Sequence, residues 1–113
     1  MVDYKTTIVK ELSKLNLPVY YEMFLTRDTG LPCISYMEDS NYDEKIGDTL
    51  TYSHISYSIK IWTKSVKEMS EYSIKIDRVM HDLGFRRSNS IELWQDTIGQ
   101  RELDYYGVFV ENN

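Results

Sequence analysis

One cysteine, two histidines and a short acidic run are the residues of this chain with most chemical reach. Cys33 stands between Pro32 and Ile34, and His54 lies in a stretch that alternates polar and apolar residues. A thiol and an imidazole within hydrogen-bond reach would make a nucleophile and its base. Nothing in the sequence brings Cys33 to His54, and cysteine is among the most buried residue types, so packing is the stronger reading of Cys33. His81 falls in the last turn of an expected helix, where the helix dipole favours a cation. The run Asp39-Ser40-Asn41-Tyr42-Asp43 offers oxygen ligands at the first, third and fifth positions of a calcium loop. The pattern then breaks, with Glu44 where the sharp turn needs glycine and Leu50 where the bidentate acid belongs. A glycine-rich phosphate loop, a nucleophile elbow and a short-range histidine pair are all missing. The sequence indicates no catalytic residue, no metal and no cofactor.

Positioning such groups falls to one domain spanning residues 1–113, since a chain of 113 residues matches the usual size of a single hydrophobic core. The 13 basic residues against 18 acidic ones give a formal charge of −5, and Arg86-Arg87 is the only adjacent basic pair, so sequence-specific nucleic-acid binding is not expected. A lone cysteine rules out an internal disulfide framework and suits a reducing compartment. No signal peptide or membrane span is expected, because no apolar run has the required length. Ten tyrosines and two tryptophans are an excess for this length, and such side chains suit both strands and protein interfaces.

Tyr4, Ile8, Leu12 and Leu15 share one face of a helix expected over 4–16, with Asp3 as its N-cap and Pro18 beyond its end. Residues 19–25 read as a strand, 26–30 as a turn, and 33–38 as the returning strand of an antiparallel hairpin. The polar stretch from Asp39 to Asp48 reads as a long loop. From Thr49 to Thr63 the alternation of Ile55, Tyr57, Ile59 and Ile61 with polar neighbours marks a half-buried strand, long enough for part of it to project as an arm. Val66, Met69, Ser73, Ile76, Met80 and Leu83 repeat at helical spacing, with Lys64/Glu68, Glu71/Lys75 and Arg78/Asp82 as solvent-side pairs and Gly84 as terminator. Strand patterning resumes at Phe85–Arg87 and Ile91–Trp94, a turn with Gly99 is expected over Asp96–Gln100, and a last strand over Leu103–Val110. The expected fold is α+β, a mostly antiparallel sheet with two helices packed on one face, in the order α-β-β-β-α-β-β. Ile55, Tyr57, Ile59 and Ile61 should face the helices, and Tyr52, His54 and Trp62 the other side.

Leu17-Pro18-Val19-Tyr20-Tyr21 and Leu31-Pro32-Cys33-Ile34-Ser35-Tyr36 are followed by the acidic stretch, the long strand to Trp62, and a helix ending in Leu83-Gly84-Phe85-Arg86-Arg87. In length and element order this resembles the tail terminator, or tail completion, proteins of long-tailed bacteriophages and prophages of Gram-positive bacteria. The resemblance implies a structural subunit rather than an enzyme. It would form a homo-oligomeric, hexameric ring on the tail tube protein, end tube growth and offer a surface to the head-tail connector protein. DNA would pass through the lumen without sequence-specific binding. The location implied is the host cytoplasm during assembly and the tail-head junction of the virion.

Three groups of residues are candidates for protein contacts. The 42–48 segment, with Tyr42, Asp43, Lys45 and Asp48, is a polar loop that could dock along the tail axis or stay solvated. Tyr52, His54 and Trp62 would supply a strand face for subunit contacts, or pack ordinarily on the C-terminal ribbon. Trp94, Gln95 and Asp96 would form a second contact tip. A head-completion or connector stopper protein and a small intracellular binding module are the alternative functions; an enzyme using Cys33 or the acidic stretch is the third.

Overall fold

The computed structural model describes residues 1–26 and 28–112, so Arg27, part of the turn expected over 26–30, lies outside the described residues. The chain forms α1 (Lys5–Ser13), β1 (Val19–Tyr21), a short 3-10 turn (Glu22–Phe24), β2 (Cys33–Ile46), β3 (Leu50–Thr63), α2 (Val66–Asp82), β4 (Arg86–Gln95) and β5 (Ile98–Asn112). The strands make one sheet in the order β1-β2-β3-β5-β4, and both helices pack on one side of it, as the sequence leads one to expect.

β3 shows why. Its burial alternates without a break from Thr51 to Thr63, and Ile55, Tyr57, Ile59 and Ile61 are fully buried. Each such side chain contributes roughly 1.5–3 kcal/mol through burial. Ile8 and Leu12 of α1 and Met69, Ile76 and Met80 of α2 close over that row. Ser65 caps α2, its Oγ accepting the Glu68 N–H at 3.2 Å, while the Thr63 hydroxyl donates to the Glu68 carboxylate at 3.0 Å. Lys64 therefore lies outside the helix, and Lys67–Glu71 is an ion pair along it, at 3.9 Å. At the other end Gly84 takes a φ of 98°, donating to His81 O, and Phe85 N–H reaches back to Met80 O. That pair of bonds is the Schellman arrangement.

Four expectations are corrected. First, β1 and β2 are parallel, with Val19 opposite Ile34, because the stretch from Glu22 to Pro32 carries the chain back to the end where β1 began. A tight turn would have made them antiparallel. Second, the polar stretch from Asp39 is strand as far as Ile46, paired residue by residue with β3; the turn is confined to Gly47–Thr49, and Asp39 is a bulge. Its polarity reflects the lack of a helix to bury it, whereas its backbone groups are paired. Third, the β4–β5 turn is Asp96-Thr97 alone, Asp96 at φ 56°, and Gly99 sits within β5 opposite Trp94. A Cβ there would come within 2.7 Å of the Trp94 ring and of Met69, so this glycine serves packing. Fourth, α1 is shorter at both ends: Tyr4 holds the cap position, Asp3 Oδ1 accepts the Lys5 N–H at 3.0 Å, and the last residue is Ser13.

The molecule measures 53 × 23 × 22 Å, because β2, β3 and the end of β5 run on past the helices as a three-stranded arm. At its root Tyr4 lies 4.4 Å from Phe109 between ring centroids, and Phe85 lies 5.0 Å from Phe109. Asn41 donates to Val2 O at 2.8 Å, and Val2 N–H to Ser53 Oγ at 3.0 Å. Truncation of Ile59 to alanine is expected to cost about 2–5 kcal/mol and of Ser65 about 1 kcal/mol. Both are read as a lower urea midpoint with an unchanged slope.

Candidate interaction surface

The helix-free face of the sheet collects the even-numbered residues of β3 and whatever stands opposite them. It divides into three zones along the strands. Over the arm, Tyr42, His54 and Val108 form one row, and Glu44, Tyr52 and Val110 the next. Tyr42 stacks on the His54 imidazole at 4.6 Å with an interplanar angle of 3°. His54 Nδ1 lies 2.7 Å from Tyr106 Oη, and Nε2 lies 3.3 Å from Glu44 Oε1. A neutral ring protonated on Nε2 satisfies both, accepting from the phenol and donating to the carboxylate. Tyr42, Val110 and Ile46 are 58%, 56% and 52% exposed, so the row of rings and methyls faces solvent. Exposed apolar side chains grouped on one face mark interaction sites far more often than scattered ones do.

The middle zone is charged. Lys60 pairs with Glu22 and, at 3.5 Å, with Glu102. Burial alone would lower the Lys60 ammonium, and the two carboxylates outweigh it, so its pKa is held above the ordinary value. Ser58 bridges Asp104 Oδ1 at 3.0 Å and Asp39 Oδ2 at 2.5 Å. The Glu102 carboxyl is pushed up from its usual value near 4.5, first by burial, then by the hydrogen bond its protonated form donates to Asp104 and by repulsion from Asp104, with Lys60 opposing.

The third zone lies at the far end. Trp62 donates from Nε1 to Ser35 Oγ at 2.9 Å, and with Leu93, Gln95, Asp96 and Ile98 it lines an open hollow of about 720 Å³. Leu93 is 56% exposed and Ile91 42%. A neighbouring hollow of about 330 Å³ is walled by Leu25, Leu31, Trp62 and Ile98.

The candidate residues thus separate. Tyr42, Tyr52 and His54 come together on the arm. Asp43 and Lys45 project from the opposite side of it, opposite Ser53 and Thr51, and Asp48 is in the tip turn. Trp62 shares a hollow with Gln95 and Asp96 at the other end, whereas the Trp94 ring turns to the helix side, over Gly99 beside Met69 and donating from Nε1 to Glu92 at 2.8 Å. Tyr106, Val108 and Val110 belong to the arm face without having been singled out. Their alternation is plain in the sequence, but only the register with β3 tells which side they take.

The chemical candidates do not converge. Cys33 is opposite Trp62, eight residues along β3 from His54, or roughly 26 Å at strand spacing. Its side chain is fully buried, and burial pushes the thiol pKa up. Asn41 turns to Val2, Asp43 to Ser53 and Asp39 to Ser58, which disperses the calcium-type ligands. Among the described residues no group of three or more His, Cys, Asp or Glu side chains is arranged to hold a metal ion. Among the described residues no helix is long and apolar enough to cross a membrane. Comparison with protein-family models and with curated protein sequences gives no match.

Because Glu102 binds its proton more tightly when folded, its contribution to stability is present at low pH and is lost as pH rises from about 4.5 through the folded-state pKa. Urea midpoints of the parent should therefore fall over that interval relative to Glu102→Gln; parallel curves for the two proteins would contradict the assignment. Cys33 should react with a thiol reagent only at the rate of unfolding.

Proposed function

We propose that this chain is a structural assembly subunit of the tail-terminator kind. It forms a closed ring on the end of a tail tube, stops the tube's growth and presents a joining surface for the head connector. The observation that supports this reading is the arm, whose helix-free face is apolar and exposed. A face of that kind is costly in a free monomer and is satisfied by protein contact. The second apolar zone, around Trp62 and Leu93, lies at the other end of a 53 Å molecule. Two different sticky regions per copy favour head-to-tail contacts, and these close into rings when the rotation per subunit fits.

The electrostatics suit a conduit. A formal charge of −5 per copy repels phosphates, so DNA could move through without being held. The tip turn Gly47–Thr49 is the natural element to reach along the ring axis toward the tube protein, since it is the farthest point of the arm. The site of action that follows is the host cytoplasm during assembly, then the tail-head junction of the particle.

Light scattering coupled to size-exclusion chromatography, run from micromolar to high micromolar protein, tests the ring. A mass near six subunits with annular particles by negative stain is expected. A protein that stays monomeric throughout, and does not shorten tubes when added to polymerising tail-tube protein, would favour the binding-module reading instead.

A further inference from the structure

The arm is a narrow sheet with two free sides. β1 pairs with β2 only from Ile34 to Tyr36, so from Met37 onward β2 has β3 on one side and, among the described residues, no strand on the other. β4 follows β5 only as far as Tyr106, which leaves Gly107–Asn112 of β5 without an outer strand neighbour among the described residues. Both free edges run toward the tip, since each strand is antiparallel to β3. They also match in level. Tyr42 and Val108 stand on either side of His54, and Glu44 and Val110 on either side of Tyr52. Unpaired edges of this length are templates for another strand. No proline interrupts either one, and Lys45, which could blunt the β2 edge, stands opposite Thr51 on the polar side.

Charge complements the geometry. Arg86 opens β4 opposite Tyr106, is exposed, and has no carboxylate partner among the described residues. Tyr106 is opposite Ser56, and Ser56 opposite Ser40, so Asp39 lies at the same level on the other side of the sheet. We infer that the free β5 edge of one copy, Gly107–Glu111, pairs in parallel with the free β2 edge of a second copy, Ser40–Ile46, and that Arg86 of the first meets Asp39 of the second. Copies related by rotation about an axis along the arm bring these edges together without reversing either. Each copy then offers one edge and receives the other, which is a heterologous contact. This rests on the ring reading and names the surfaces that build it.

Cysteine cross-linking tests the pairing in a Cys33→Ala background. Val108→Cys is combined in turn with Ser40→Cys, Tyr42→Cys and Glu44→Cys, which samples three staggers. Within one copy these positions are two strand spacings apart, about 10 Å, beyond the ~7 Å limit for a disulfide. Oxidation should give a covalent ladder in at least one combination, rising to the copy number of the ring, while each single-cysteine parent stops at dimer. Arg86→Glu should raise the concentration for half-assembly about tenfold, and Arg86→Glu with Asp39→Arg should bring it back to within a few-fold. Assembled particles that give no ladder at any stagger and ignore Arg86→Glu would overturn the edge pairing and leave the ring standing. Monomer at every concentration, with no ladder and no shortening of tubes when added to polymerising tail-tube protein, would overturn both.

Discussion

β3 is bonded to a neighbour along its whole length on both sides, to β2 from Leu50 to Trp62 and to β5 from Leu50 to Thr63. The rest of the molecule depends on that double register. Because side chains alternate across the sheet, fixing β3 fixes which residues of β2 and β5 face the helices, and a slip of one residue would turn every one of them over. Ile55, Tyr57, Ile59 and Ile61 supply the penalty against a slip, since each is fully buried under α1 and α2. The aromatic face of the arm is the other side of the same constraint. Tyr42, His54 and Val108 are aligned because the isoleucines on the opposite face are.

The helices are shorter than the strands they cover. α1 has 9 residues and α2 has 17, while β2 and β3 have 14 and β5 has 15. A helix rises about 1.5 Å per residue and a strand about 3.3 Å, so nine helical residues cover only about four of the strand. α1 lies beside β1 and the near part of the sheet, and past Ser53 the strands continue with no helix above them. Val2 and Tyr4 cover the first step of that excess through Ser53, Asn41 and Phe109. Beyond it the arm is held by backbone pairing together with the Tyr42–His54 stack, the His54–Glu44 contact and the ion pair of the Met1 ammonium with Glu111 at 2.7 Å, and its composition turns polar on one face and aromatic on the other.

Two buried phenols and one lysine at the centre are tied to carboxylate partners. Tyr57 donates to Glu38 at 3.2 Å and Tyr105 to Asp77 at 2.9 Å, and burial followed by the nearby carboxylate pushes both phenols well above their usual range. Lys60 sits between Glu22 and Glu102, tying the 3-10 turn after β1 to β5 across β2 and β3. The Lys60 contacts give the helix-free face a charged middle, and its two ends are apolar.

The sequence by itself determined the element order, the fold class, the long alternating strand, the second helix with its Gly84 terminator, and the side of β3 on which Tyr52, His54 and Trp62 lie. Those are local properties, set by periods of two and of 3.6 residues and by turn chemistry. It misread the stretch from Asp39 to Ile46 as a loop, because polarity reports what covers a strand and not whether its backbone is paired. It also misread the direction of β1 against β2 and the reason for Gly99, both of which rest on residues distant in the chain. Tertiary structure alone decided which candidates meet. Tyr42 reaches His54, and Trp62 and the Trp94 ring take opposite faces, only through the registers of β2, β4 and β5, and those registers are set by burial summed over the whole sheet rather than by any one segment.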